Sequence, residues 1–277
     1  MTLVTACLRG GLGNQLFQWS AACTIAKRLG GQAGIDPRFL PTGIGERLQA
    51  VNIRARVIRA PSITVGLLSM PGLWCLTRAL GIGRLQLART ELLLDTLRGT
   101  PDPDILLKLR TLHVVMVGYW QSTAWVDPVE TELRAALSIP AHSDAVALHV
   151  RRGDYLSNSA AVRTHGTLSG AWYLAALDQL GNEARGRPLH VFTDDPSMVQ
   201  REGWLPTHAQ IHRHNSDVQD LLAMAGCAHL ICANSSFSWW AAWIGERLGR
   251  IVICPERWWT SAAGPIPHPA RSHWRRL

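Results

Sequence analysis

The densest run of chemistry in the chain is His149-Val150-Arg151-Arg152-Gly153-Asp154-Tyr155, at the end of the apolar run 145–150. Arginine keeps its charge at any working pH and forks across two phosphate oxygens. Alternation on a strand sends Arg151 and Arg152 in opposite directions, so one is expected to face a ligand and the other to pair with a carboxylate. A surface Arg-Asp pair closing a turn is the other reading of these residues. In Ala233-Asn234-Ser235-Ser236-Phe237-Ser238, hydroxyls and unpaired amides stand where one apolar run ends and the next helix opens, an anion-binding terminus. In Arg9-Gly10-Gly11-Leu12-Gly13-Asn14-Gln15-Leu16-Phe17-Gln18 the glycines permit positive φ and close backbone approach. Leu16 stands where a dinucleotide fingerprint wants Gly or Ala, and no Gly-Lys-Ser/Thr ending follows, so this loop reads equally as a ligand loop or a tight turn.

Metal chemistry is weakly supported. Asp194-Asp195 precede Pro196 and read as the cap of a helix. Asp102-Pro103-Asp104 has the spacing of a nucleotide-sugar metal motif but sits in a Pro-rich stretch with no strand before it. Cys227, His229 and Cys232, with His212 and His214 upstream, alternate sides of a strand and lack structural-zinc spacing. The six cysteines form no CxxC pair and read as reduced core residues. Trp239, Trp240 and Trp243 read as core rather than as a stacking platform.

The elements that must position these loops alternate in kind. Strand-like runs are expected at 3–8, 112–117, 145–150, 189–192, 229–232 and 251–254, and helices at 15–29, 128–137, 170–180, 216–225 and 238–248, with a long irregular stretch from 29 to 109. Alternation of this sort implies parallel sheets covered on both faces, with ligands at the carboxyl ends of the strands. A domain boundary is placed near 139–143, dividing the chain into 1–140 and 141–277.

The 277 residues suit two domains, and 47% hydrophobic with 17% charged residues excludes a disordered or coiled-coil chain. The net charge is +8, with 15 basic against 9 acidic residues up to position 140. No basic run resembles a nucleic-acid arm, so the charge points to anionic ligands or an anionic membrane surface and not to nucleic acid. Residues 60–77 are uncharged but broken by Pro61, Gly66, Pro71 and Gly72, too short for a span. They read as a buried helix or loop, or alternatively as an interfacial patch rimmed by Trp74, Arg78 and Arg84. Without a signal-like N-terminus, a cytoplasmic location is expected, with peripheral contact at the inner face of the membrane.

Gly10 to Gln18, Gly118-Tyr119-Trp120-Gln121-Ser122, His149 to Tyr155 and Ala233 to Trp240, in that order, resemble the motifs of the α-1,2-fucosyltransferases, glycosyltransferase family 11. Cys254-Pro255-Glu256-Arg257-Trp258 is similar to that family's closing segment. The resemblance implies an α/β, GT-B-like fold of two Rossmann-like domains facing across a cleft, the first on the acceptor side and the second binding GDP-L-fucose. It implies inverting transfer of fucose to the 2-hydroxyl of a glycan acceptor, plausibly a terminal β-galactose on a lipid-carried surface-glycan precursor, with no metal cofactor. By the same resemblance Arg151 meets the diphosphate and His149 the guanine side. Asp220 pairs with guanine N1 and N2 donors, Ser235, Ser236 and Phe237 approach the phosphates, and Asn14 and Gln15 close over the donor. His165 ranks ahead of Asp154 as the group that accepts the acceptor's proton. Trp172-Tyr173 replaces a Tyr-Tyr pair common in the family, Ala241 replaces a Gly, and acceptor contacts are expected between 30 and 109. A silent sugar-nucleotide-binding protein on the same scaffold is the alternative. An oxidoreductase using Asp36 for a ribose is disfavoured by Leu16.

Overall fold

A computed structural model describes the chain except residues 43, 69–82, 88, 96–110, 139–140, 154–158 and 262–265. The chain divides into two compact units, Met1–Leu137 with Pro265–Pro267, and Ser138–Gly264 with His268–Leu277.

The first unit is built on a five-stranded sheet. Its strands are β1 (Leu3–Cys7), β2 (Gln32–Asp36), β3 (Arg84–Leu87), β4 (Thr90–Leu94) and β5 (His113–Val117), in the order β2-β1-β5-β4-β3. All pairings are parallel except β3 with β4. Helix α1 (Leu12–Leu29) lays Leu16, Phe17, Ala21 and Ile25 into the core, the leucine, phenylalanine and isoleucine each contributing about 1.5–3 kcal/mol. Gly30 ends it in the left-handed conformation at φ 58°, its N–H reaching back to the Lys27 carbonyl, while Lys27 and Arg28 meet the negative end of the helix. Strands 32–36, 84–87 and 90–94, and helix α2 (Ser62–Leu68), lie in the stretch the sequence reading left irregular. Gln32-Ala-Gly-Ile-Asp is mixed and short, and Gly34 is there because a side chain would strike Ile58.

The second unit carries six strands, β6 (Ser143–Val150), β7 (Leu189–Thr193), β8 (Ala209–Ile211), β9 (Cys227–Ile231), β10 (Val252–Cys254) and β11 (Arg275–Arg276). They run in the order β11-β10-β9-β6-β7-β8 with every pairing parallel. Buried from Ala145 to Val150, β6 reads as a continuous apolar run because both faces of the sheet are covered. Its helices are α5 (Ser159–His165), α6 (Gly170–Leu180), α7 (Pro196–Glu202), α8 (Asp217–Gly226) and α9 (Ser236–Ile244), following α3 (Thr123–Val126) and α4 (Glu130–Ala136) of the first unit. Trp239, Trp240 and Trp243 on α9 are fully buried core. Two arginines close the carboxyl ends of α8 and α9. Arg250 donates to the Met224, Ala225 and Ala241 carbonyls, and Arg247 to those of Ala225, Gly226, Cys227 and Gly245. These are the carbonyls a helix leaves without partners at its end.

Strand order fixes where ligands can enter each sheet. From β6 the chain moves outward through β7 and β8, then returns to place β9 on the other side of β6. The carboxyl ends of β6 and β9 therefore diverge into a crevice, the topological switch point at which open parallel sheets bind ligands. The first unit has the same feature between β1 and β5.

Candidate functional site

At the β6 end the arginine pair separates by environment. Arg152 is buried and forks onto Glu202 of α7, Nε to Oε1 at 2.7 Å and Nη2 to Oε2 at 2.9 Å. Trp204 Nε1 donates to the same carboxylate at 2.6 Å, and the Tyr173 ring lies stacked on Trp204 with centroids 5.2 Å apart. The Arg152 fork, against a smaller push from burial, holds the Glu202 carboxyl below its ordinary value. Arg151 is the more exposed partner, its Nε 3.2 Å from Asp194 Oδ2. Asp194 Oδ1 also accepts the Arg152 backbone N–H at 2.8 Å. Gly153 passes so close that a side chain would strike the Asp194 carboxylate. Asp195 rather than Asp194 caps α7, accepting from the Met198 N–H at 2.9 Å.

His149 lies on the same strand, one residue before its end, and is 3% exposed. Burial, then the Arg151 charge, pushes its imidazole down to about 3, so the ring is neutral. Its Nδ1 has no hydrogen-bond partner among the described residues, and its ring centroid is 5.6 Å from that of Phe237. Phe237 belongs to the first turn of α9, which Ser235 opens by accepting the Phe237 N–H at 3.3 Å. The Ser238 hydroxyl ties this turn down by donating to the Ala233 and Ser235 carbonyls. Asn234 Nδ2 donates to the His165 carbonyl at 2.6 Å, which fastens the end of α5 to the β9 turn. The His165 ring lies 5.0 Å from Trp259, and the Thr260 N–H donates to the Thr164 carbonyl. Arg151 and His149 at the end of β6, and Ser235, Ser236 and Phe237 after β9, thus lie at the switch point of the second sheet, with His165 tied to it through Asn234.

Asp220 stands on α8, a helix opened by a capping box between Ser216 and Gln219. Its Oδ1 accepts from Asn215 Nδ2 at 2.8 Å, and burial raises its carboxyl despite that bond. Asn215 Nδ2 lies 3.4 Å from His212 Nδ1, and His212 Nε2 is 2.7 Å from His190 Nδ1. The His212 ring stacks on Phe192 at the end of β7 with centroids 4.4 Å apart.

In the first unit both motifs sit at their own switch point. Gln18 exchanges two hydrogen bonds of 2.9 Å with the backbone of Arg9, as a neighbouring strand would. Asn14 Oδ1 accepts from Gln121 Nε2 at 2.7 Å, joining the first motif to the second. The second motif turns on Asp95, whose Oδ2 accepts the N–H groups of Tyr119 and Trp120. Gln15 departs from expectation. It is fully buried, donates to the Gly10 and Gly45 carbonyls and accepts from the Arg47 N–H, so it shapes the loop instead of presenting its amide to a ligand. Asp36 is likewise engaged, bound by Arg38 and by the Ala60 N–H.

Asp154, the second candidate base, lies outside the described residues, as do Asp102, Asp104, Trp74, Arg78 and the rest of 69–77. Cys227 donates to the Ala223 carbonyl, and His229 Nδ1 accepts from the Ile251 N–H. Among the described residues no group of three or more His, Cys, Asp and Glu is arranged to hold a metal, and no helix is long and apolar enough to cross a membrane. A cavity of about 400 Å³ lies at the amino ends of β6 and β9, lined by Asp144, Arg187, His229, Arg247 and Arg250, away from the switch point. Sequence reasoning missed Glu202, His190, Asn215 and Asp95 as supports. Their partners are far along the chain or carry no motif.

Residues 128–262 match Glycosyl transferase family 11. The chain is 25% identical to an alpha-1,2-colitosyltransferase of Escherichia coli, over 100% of this chain and 99% of that one. It is 29% identical over 120 residues to the O-antigen biosynthesis glycosyltransferase WbnK of Escherichia coli, covering 42% of this chain and 40% of that one. Among solved structures, NodZ alpha-1,6-fucosyltransferase soaked with GDP-fucose is similar with a TM-score of 0.50 at 17% identity, covering 88% of this chain and 92% of that one. A mutant of Arabidopsis thaliana FUT1 in complex with GDP is similar with a TM-score of 0.50 at 9% identity, covering 91% and 70%.

Proposed function

From the premise that residues 128–262 carry the sequence of a family 11 glycosyltransferase on a GT-B-like fold, as the motifs led us to expect, we propose a specific reaction. The enzyme moves L-fucose from GDP-β-L-fucose to the 2-hydroxyl of a glycan acceptor, with inversion to an α-1,2 linkage. The observation that carries this reading is the gathering of Arg151, neutral His149 and the Ser235–Phe237 turn at the β6/β9 switch point.

Each group has a part in that reaction. Bond breaking leaves a diphosphate whose growing charge is met by the Arg151 guanidinium and by the amides of the first turn of α9. His149, uncharged, offers a directional hydrogen bond on the guanine side, and the Asp220 carboxylate accepts from guanine N1 and N2. His165 is the first choice to accept the acceptor's proton, ahead of Asp154. Asn14 belongs to the donor-closing set, and segment 1–140 to the acceptor side, with 141–277 binding the donor. No metal cofactor is invoked, since an arginine and helix-terminal amides supply the positive charge. The acceptor is a surface-glycan precursor ending in galactose and carried on a lipid, met from the cytoplasm at the membrane's inner face. The names of the two relatives support this, one an O-antigen enzyme and the other an alpha-1,2-transferase. The full-length match to a colitosyltransferase favours a second donor, GDP-colitose, whose sugar is the 3-deoxy counterpart of fucose.

The test is GDP release from GDP-fucose and GDP-colitose with β-galactoside acceptors in EDTA. Acceptor-dependent release is expected, falling about 10²–10³-fold in Arg151→Ala. GDP binding without turnover of either donor on any acceptor favours the silent scaffold, and a folded protein that binds no GDP rejects the reading.

A further inference from the structure

Asp220 carries the nucleobase contact in the proposed reaction, and what holds it is a chain of three side chains from two other elements. Asn215 Nδ2 lies 2.8 Å from Asp220 Oδ1 and 3.4 Å from His212 Nδ1, and His212 Nε2 lies 2.7 Å from His190 Nδ1. Hydrogen-bond chemistry allows one arrangement of protons. A carboxylate only accepts, so the Asn215 amide must turn its NH2 to Asp220, and the second N–H of that NH2 points to His212. His212 Nδ1 must then be bare, which in a neutral imidazole puts the proton on Nε2, where it is donated to His190 Nδ1. The proton of His190 is left on its Nε2. The Asn215 amide thus donates both ways, to Asp220 and to His212, and from His212 the donation continues to His190 on the strand.

The surroundings keep His212 in that state. Its ring is stacked on Phe192, and burial, followed by repulsion from His190, lowers its proton affinity, opposed by Asp220. The charged and titratable groups that face the chain are His190 from β7 and Asp220 and Asp217 from α8, with Arg213 and His214 on the same loop as His212. Arg213 is turned toward Gln200 of α7, to which it donates at 2.6 Å. A proton on His212 Nδ1 would oppose the Asn215 NH2, forcing the amide to rotate and release Asp220.

We propose that His212, through Asn215, is the positioning residue that sets Asp220 to read the base of the donor, and that base discrimination depends on its being neutral. The inference rests on the proposed binding of a guanosine diphosphate sugar. It adds residues that touch no substrate but decide how well guanine is told from a base lacking the 2-amino group.

Calorimetric titration of the full chain with GDP and with inosine diphosphate tests this, alongside thermal denaturation of each variant. In the wild type, GDP is expected to bind more tightly than inosine diphosphate. Asn215→Ala and His212→Ala are expected to weaken GDP roughly three- to tenfold, as the loss of one supporting hydrogen bond does, and to narrow its margin over inosine diphosphate. His212→Gln, whose amide has an acceptor and a donor but does not titrate, restores most of the margin and removes the loss of affinity that the wild type shows as pH falls through the imidazole range. A purely structural role predicts instead equal weakening of both nucleotides, with the pH profile unchanged in His212→Gln. That result overturns the inference, as does an unaltered GDP margin in Asn215→Ala, an exposed site whose change leaves the fold intact. A folded wild type that binds neither nucleotide removes the proposed donor itself, an outcome separate from these.

Discussion

Arg151 and Arg152 are neighbours in sequence and opposites in surroundings, and their substitutions should fail in different ways. Arg152 is 4% exposed at its side chain and Arg151 29%. Arg152→Ala strands Glu202 and is expected to lower stability by about 3–5 kcal/mol, read by urea denaturation. Arg151→Ala should leave stability nearly unchanged while lowering turnover about 10²–10³-fold. The Glu202 carboxyl is held below its ordinary value of 4.5 mainly by the Arg152 hydrogen bond. Its contribution to stability is therefore complete above that value and lost as pH falls through the lowered folded one, an acid dependence that Glu202→Gln should remove. Strand alternation led us to expect one carboxylate partner, but both arginines lie just past the end of β6 and each has one, Asp194 for Arg151 and Glu202 for Arg152. Glu202 was hidden because it lies 50 residues away with no motif around it.

Elements were legible where their ends are chemically marked. Helix α6, capped by Ser169 and stopped at Gly181, was read at 170–180 to the residue. Helix α9 was expected at 238–248 but begins at Ser236, because the Ser235 hydroxyl caps it two residues earlier, and it ends at Ile244. Strands β2, β3 and β4 were missed since neither strict alternation nor a long apolar run marks them. The turn after β5 is a tight local constraint. Gly118 has φ 137°, and a side chain there would strike Asp95, whose carboxylate holds the next two amides. Trp120 is in the left-handed region at φ 56°, a conformation few bulky residues adopt. Gly118→Ala should therefore destabilise the first unit by about 1–3 kcal/mol. Gln15→Leu should do the same by leaving the Arg47 N–H and two carbonyls without partners. Differential scanning calorimetry reads both.

At the scale of the whole molecule, the motif order makes sense because each sheet reverses its strand order once and carries its motif loops at that reversal. Parallel sheets and their alternation with helices were legible from the apolar runs. The strand orders were not, since they depend on which runs pair across long separations. Two units with separate cores should give two calorimetric transitions in the intact chain. GDP is expected to raise chiefly the transition of the second unit, by about 2.7 kcal/mol at a hundredfold excess over its dissociation constant. The Arg247 and Arg250 caps then acquire a mechanical meaning. They pin α8 and α9 together at their carboxyl ends, while Asp220 and the Ser235–Phe237 turn lie at the separately capped amino ends. In the proposed reaction these amino ends carry the base and phosphate contacts, so the helices act as calipers with the screw at the far end, and loosening that screw should blur the measurement at the tips.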